Sequence, residues 1–400
     1  MKSNYKQLGQ FIRQVDIRNT DGKEDNLLGV SVQKKFIPSI ANTVGTDFRK
    51  YKIVKRGQFT YIPDTSRRGD KIAIALLLDY EEGIVSNVYT VFEVIDENQL
   101  LSEYLMLWFM RPEFDRYARF KSHGSVREVM DWDEMCKVEL PVPEIEKQRQ
   151  VVKAYNTIND RIALKRKIND NLRASANVEF FRSIRYPKTQ REMKQETEIG
   201  IYPSDWTITT LGNVLTTIID RRGLTPTKLG GEWSDDGIIA ISAKSVKNHN
   251  LINLGIANRV NQSLYDRWMP EKLQPKDILM TSEAPLGEFY YIAKFSDYCL
   301  SQRLFALRAN SSVIEPTVLY FQLTDTIGKH QIDIRKTGTT VTGIRQSELI
   351  KVPVVLPSKE VQHNFASFCN PIMLTIERNA EEIRLLSDLQ EMVLCNLSSR

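Results

Sequence analysis

The chain states one long pattern twice. Gly124-Ser125 is followed by Glu134-Met135-Cys136-Lys137-Val138-Glu139-Leu140-Pro141-Val142-Pro143-Glu144 and then by Gln148. Gly338-Thr339 is followed by Glu348-Leu349-Ile350-Lys351-Val352-Pro353-Val354-Val355-Leu356-Pro357-Ser358 and then by Gln362. Gly124 aligns with Gly338, Glu134 with Glu348, Lys137 with Lys351, Val138 with Val352, Pro143 with Pro357 and Gln148 with Gln362, all without a gap. A repeat of this length implies two copies of one structural unit related by pseudo-symmetry.

The rest of the chain divides around that repeat. Four hundred residues exceed what one core usually serves, so two domains are expected. Residues 1–143 are rich in short β-type runs, including Lys71–Leu78 and Val85–Val94, followed by a helical pattern over Leu100–Met110 that stops at Arg111-Pro112. From Glu144 no Gly or Pro occurs until Pro187. That is enough for roughly 60 Å of helix at 1.5 Å per residue. Its apolar stripe runs through Ile145, Val151, Val152, Tyr155, Ile158, Ile162, Ile168, Leu172 and Ala176, too thin for a globular core and suited to a second long helix. Residues 144–185 therefore form a central long helix and 186–200, polar and charged, a linker. Residues 201–357 form the second domain, and 358–400 a C-terminal long helix whose stripe includes Phe365, Phe368, Ile376, Leu389 and Leu397. Pro371 inside it should kink or restart the helix. The expected class is α+β: two mixed α/β domains separated by two long antiparallel helices in a pseudo-two-fold repeat.

Further matches extend the repeat. Leu8-Gly9-Gln10-Phe11 corresponds to Leu211-Gly212-Asn213-Val214, Lys55–Tyr61 to Gln274–Met280, and Ser86–Phe92 to Ser301–Leu307. The changing offsets place loop insertions of different length in each copy, which is where a shared scaffold stores a difference in recognition.

The duplicated order, with Tyr202-Pro203-Ser204-Asp205-Trp206 and Leu211-Gly212-Asn213-Val214, a variable half, a Leu-Pro-Val-Pro-Glu or Val-Leu-Pro-Ser-Lys-Glu segment with its following Gln, and a long helix, resembles the specificity subunit of Type I restriction–modification enzymes. The resemblance covers essentially the full length. It implies two target-recognition domains that bind double-stranded DNA at a split, asymmetric sequence, with helices that set the half-site separation and dock two methylation subunits. Two restriction subunits are optional further partners. S-adenosylmethionine, ATP and Mg are then expected on partner subunits, with no cofactor or metal on this chain. The first half lacks the Pro-x-x-Trp opening of residues 203–206, which implies a shortened first strand. Half-sites one turn of B-DNA apart lie roughly 34–36 Å from one another, within reach of such helices.

The residues suited to this role are basic loops present in both copies. Arg67, Arg68 and Lys71 form a basic turn, as do Arg221 and Arg222. Arg116, Arg119, Lys121, His123, Ser125 and Arg127 surround Gly124, and Lys329, His330, Arg335, Lys336, Thr337 and Thr339 surround Gly338. Lys244, Lys247 and Asn248 lie in a polar loop of the second half. Cations, hydroxyls and bare backbone N–H groups are what phosphate contacts need, and Arg or Asn can read base edges. A solvated charged surface is the alternative for each cluster. Tyr290-Tyr291 and Trp108 sit in apolar contexts that favour core packing over base stacking.

Catalytic signatures are missing: there is no P-loop, and Asn370-Pro371-Ile372 departs from the Asn-Pro-Pro-aromatic pattern of adenine methyltransferases. The four cysteines and four histidines are scattered without metal-ligand spacing. No apolar run reaches the roughly 18–20 residues of a membrane span. With no secretory pattern at the start, a cytoplasmic protein with reduced thiols is expected. Two other readings fit the sequence: a coiled-coil protein-binding adaptor without DNA specificity, and a fragment of a single-chain modification enzyme, which the missing cofactor motifs disfavour. A net charge of +5 adds only weakly to the DNA reading.

Overall fold

The computed structural model describes residues 5–39, 44–65, 69, 71–123, 128–188, 194–338 and 342–398. The chain forms two compact units, Met1–Ala163 with Arg384–Arg400, and Leu164–Ile383. Both belong to the α+β class and repeat one plan.

In the first unit a four-stranded antiparallel sheet has the order Ile12–Val15, Thr90–Val94, Phe59–Ile62, Ala73–Leu76. In the second the order is Leu215–Asp220, Leu304–Ala309, Ile278–Thr281, Phe289–Tyr291. Each unit adds a two-stranded ribbon, Tyr5–Gln7 with Glu139–Pro141 and Thr207–Thr210 with Pro353–Leu356. Each also adds a helix pair, Ser102–Met110 with Pro112–Lys121 and Pro316–Thr324 with Thr326–Asp333. The run Lys71–Leu78 contains the strand Ala73–Leu76, which is continuously apolar because Ala73, Ile74 and Ala75 are buried on both faces of the sheet. Val85–Val94 is two strands rather than one: Glu82–Val85 belongs to a separate three-stranded sheet, and a turn at Ser86–Tyr89 precedes Thr90–Val94. The first unit's core centres on Phe59 and Phe92, stacked at 4.8 Å, with Phe109 edge-on to Phe59 at 5.8 Å. In the second, Phe321 and Phe365 meet edge-on at 5.4 Å, and Phe180 of the central helix stacks on Phe321. Trp108, Tyr290 and Tyr291 are buried.

The repeated motifs form equivalent contacts. Leu8 N donates to Val138 O and Leu211 N to Val352 O, each at 2.7 Å. The glycine that follows leaves room for this approach, since a Cβ at Gly9 would lie 2.9 Å from Cys136 Cβ and one at Gly212 would lie 3.1 Å from Ile350 Cβ.

The glutamine after each Pro-rich segment is the strongest match. Gln148 is fully buried, accepts from Leu101 N at 2.9 Å, and donates to Gln99 O at 2.9 Å and Pro143 O at 2.8 Å. Gln362 is also buried, accepts from Glu315 N at 2.9 Å and donates to Pro357 O at 2.8 Å. Leu101 and Glu315 are the N-caps of Ser102–Met110 and Pro316–Thr324, and neither helix has a side-chain cap of its own. The amide supplies the missing partner and fastens a long helix to the sheet domain.

The central helix runs over Ile145–Phe180 and ends in a π-type turn, Phe181–Arg185, and the C-terminal helix runs over Lys359–Asn396. In the first unit Val152 and Tyr155 share a core with Leu394 and Leu397; in the second, Ala176 and Phe180 share one with Phe365, Cys369, Met373 and Ile376. The beginning of one helix thus meets the end of the other, so they run antiparallel. Tyr155, Ile162, Asn169 and Ala176 are buried at intervals of seven. The expected stripe placed Ile168 inward, but Ile168 is exposed and Asn169 is buried instead. Asn379 Nδ2 donates to Asn169 Oδ1 at 2.7 Å, and Lys165 bonds Asn379 and pairs with Glu382.

Pro371 does not restart the helix, which is continuous through it. Proline and Ser367, whose carbonyl would have accepted its N–H, are both exposed, so water can take the lost bond. Residues 186–200, expected as a linker, include part of a hairpin, Lys194–Thr197 with Gly200–Pro203, anchored by the buried side chains of Ile199 and Tyr202.

Gln148→Leu should destabilise the protein by about 2–4 kcal/mol, because it leaves a buried N–H and two carbonyls unpaired. Urea unfolding of the variant against wild type checks this; a cost below about 0.5 kcal/mol, typical of surface changes, would mean the amide is not the tie described.

Candidate nucleic-acid interface

Equivalent small hairpins stand at the end of a core strand in each unit. In the first, His123 N donates to Val129 O at 3.1 Å and Val129 N returns a bond to His123 O at 2.9 Å, while Met130 N donates to Pro63 O. In the second, Thr337 N and Gly343 N exchange bonds at 2.7 and 3.0 Å, and Ile344 N donates to Ser282 O. Gly338, which follows Thr337, has φ 98°, in a region that favours glycine. Arg67, Arg68, Ser125, Arg127 and Thr339 lie outside the described residues.

A cleft borders the second helix of each helix pair, Pro112–Lys121 and Thr326–Asp333. In the first unit, Lys34, Gly69, Lys71, Asp115 and Arg116 line a cleft of about 410 Å³. In the second, Gly287, Thr326, Lys329, His330 and Asp333 line one of about 470 Å³. Lys71, Arg116, His123, Lys329, His330, Lys336 and Thr337 are exposed. Several predicted cations are tied to neighbours: Arg116 to Glu113 at 3.1 Å, Arg119 to Glu128, Lys121 to Glu134 at 3.9 Å, and Lys336 to Asp333 at 2.9 Å. Lys34, not singled out in the sequence, is buried and bonds Asp115 at 2.6 Å; burial lowers its pKa against the opposing pull of that carboxylate.

The remaining predicted residues separate. Arg335 donates to Gln331 O and Oε1 at 2.8 and 2.6 Å. Arg222 pairs with Asp220 at 2.7 Å and lies 4.2 Å over the Phe305 ring, next to the half-buried Arg221. Lys247 and Asn248 belong to a hairpin, Val246–Lys247 with Asn250–Leu251, whose turn residues Asn248 and His249 both have positive φ. The tip of that hairpin packs on the central helix. Arg173 donates to His249 O and Asn250 Oδ1, both at 3.0 Å, and His249 Nδ1 lies 2.8 Å from the Tyr320 hydroxyl.

Lys244 instead lines a third cleft of about 620 Å³ in the second unit, with Trp233, Asn253, Asn258, Gln302 and Arg303. No carboxylate is among its lining residues. The sequence reading missed this cleft except at Lys244. The available signal was the match of Ser86–Phe92 with Ser301–Leu307, which sets Arg303 opposite Val88.

Among the described residues, no group of three His, Cys, Asp or Glu side chains is placed to hold a metal. No helix of the described residues is long and apolar enough to cross a membrane.

With this geometry, known proteins provide a frame. The family model for the Type I restriction modification DNA specificity domain matches residues 11–174 and 203–386, and the chain belongs to this family. A type I restriction enzyme specificity subunit of Methanocaldococcus jannaschii, MjaX, is 21% identical over 283 residues, 70% of this chain. The match spans 63% of that relative's length. The crystal structure of a Type I restriction–modification S subunit from M. genitalium superposes with a TM-score of 0.61 at 10% identity, covering 99% of this chain and 96% of that one. That likeness establishes a shared fold.

Burial, with the charges of Lys329 and Arg173 adding to it, pushes the His249 pKa down to about 4. The unfolded chain therefore binds the extra proton first, and the contribution of this residue is complete above about pH 6.5 and lost as pH falls toward 4. Wild type should lose thermal stability across that window more steeply than His249→Gln; parallel Tm-against-pH curves would exclude the assignment.

Proposed function

We propose that this chain is the DNA-sequence-specificity subunit of a Type I restriction–modification complex, recognising a bipartite, asymmetric duplex sequence. The observation that carries the reading is one scaffold present twice, each copy holding an equivalent hairpin and basic cleft beside a different insertion. The first copy carries the sheet Ile17–Arg18, Lys52–Lys55, Glu82–Val85, and the second carries Arg259–Val260, Ile238–Ile241, Tyr298–Leu300 around a separate core containing Trp268. Equal scaffolds give two half-sites and unequal insertions make their sequences differ.

In this reading the chain performs no chemistry of its own in the cytoplasm. Exposed cations such as Lys71, Lys244 and Lys329 hold phosphates and supply a salt-dependent affinity. The long helices, each of which enters both units, fix half-site spacing and dock two methylation subunits, with restriction subunits joining them. Base flipping and transfer from S-adenosylmethionine take place on those partners.

A methylation map of the source genome, with the gene intact and deleted, tests the reading. Modified bases should vanish from one split asymmetric motif; an unchanged map would refute it. In duplex titrations across salt, combining Lys244→Gln with Lys329→Gln should weaken binding uniformly over sequences and reduce the slope of log K against log salt by about two. An unaltered slope would remove these lysines from the phosphate contacts.

A further inference from the structure

Arg303 lies in the turn between Tyr298–Leu300 and Leu304–Ala309, at the edge of the 620 Å³ cleft. Its φ is 65°, a left-handed conformation that is costly for a residue with a Cβ. Three backbone hydrogen bonds to two other segments hold it there. Ser301 N donates to Ile241 O at 2.8 Å, Ala243 N to Gln302 O at 3.2 Å, and Ser282 N to Arg303 O at 2.9 Å. Strained backbone of this kind persists where the surrounding structure over-determines it, and it concentrates at binding sites. The side chain is about half exposed, and its Nε lies 3.2 Å from Glu283 Oε1. Glu283 is itself bridged to Gly343, at the base of the Gly338 hairpin.

We infer that Arg303 is a specificity-determining residue that reads a guanine in the half-site bound by the second unit. This rests on the DNA-specificity reading and adds to it the residue and the base. A phosphate contact needs only positive charge, which the nearby Lys244 provides without orientation. Arg303 has the opposite character: the Glu283 carboxylate faces its Nε edge as an ion partner and, among the described residues, leaves the two terminal nitrogens without one. What remains is a directed pair of terminal N–H groups, the fork that matches guanine O6 and N7 in the major groove. Asn253, Asn258 and Gln302 extend the cleft with further hydrogen-bonding groups.

The matching turn of the first unit sharpens the inference. Ser86-Asn87-Val88-Tyr89 aligns with Ser301-Gln302-Arg303-Leu304, and Val88 is 66% exposed at the position of Arg303. An isopropyl group cannot hydrogen-bond a guanine and has only the thymine methyl to meet in the major groove. One turn, repeated on one scaffold, therefore demands guanine in one half-site and not in the other.

The test uses the full chain with its methylation subunits, comparing methylation motifs of wild type, Arg303→Lys and Glu283→Gln. Arg303→Lys keeps the charge and loses the fork, so the motif should become degenerate at one G·C pair of one half-site, with discrimination there falling about tenfold or more. Glu283→Gln should relax the same position by a smaller factor, with every other position unchanged. An unchanged motif in Arg303→Lys, or a uniform decline at all positions, would overturn the inference in favour of a structural or phosphate role. If wild type itself specified no motif, the DNA-specificity reading would fail, before any substitution is made.

Discussion

Each half of this protein depends on one buried amide. Gln148 and Gln362 stand in the first turns of the two long helices, and each satisfies a backbone N–H at the start of a domain helix and a carbonyl of the preceding Pro-rich turn. A buried unpaired peptide group is costly, so the amide holds helix and sheet domain in one relation. The Leu-Gly contact completes the joint by bringing the first ribbon strand against the end of a short helix, Trp132–Cys136 in one copy and Gln346–Leu349 in the other. Because both copies use the same bonds, both present their hairpins and clefts from equivalent points.

On this shared joint the two copies are free to differ. The four-stranded sheets keep one strand order, whereas the three-stranded sheets inserted between their strands differ in pairing: the first is antiparallel throughout, and the second pairs Ile238–Ile241 in parallel with Tyr298–Leu300. The helices carry a second constraint, the buried Asn169–Asn379 pair in the second unit. Buried asparagine of this kind sets helix register at some expense of stability. If the helices set half-site spacing as proposed, fixed register is the property they need.

The duplication, the long helices and the repeated glutamine were legible because each depends on local spacing that tolerates little variation. Other features depended on contacts distant in sequence. Ile168 and Asn169 are equally compatible with a helical stripe, and the choice between them follows from what Asn379 offers across the helix pair. Val85–Val94 has strand composition throughout, yet it divides because its halves pair with different partners. In the candidate interface, the Lys244–Asn250 segment looked like one polar loop. Lys244 lies on a cleft, whereas His249 is packed against Tyr320 and Arg173. Arg119 and Arg335 were singled out by charge alone, and charge does not reveal that Glu128 and Gln331 engage them.

The sequence by itself determined that there are two copies of one unit, where the long helices begin, and which glycines and glutamines must recur. These follow from periodicity and from backbone geometry that few residues can meet. Only the tertiary structure decided which side chains face a common cleft, because that depends on strands far apart in the chain meeting at one sheet edge. Lys244 and Arg303 line one cleft from about sixty residues apart, and the 3-10 segment and the turn that hold them meet only through backbone hydrogen bonds of the folded state.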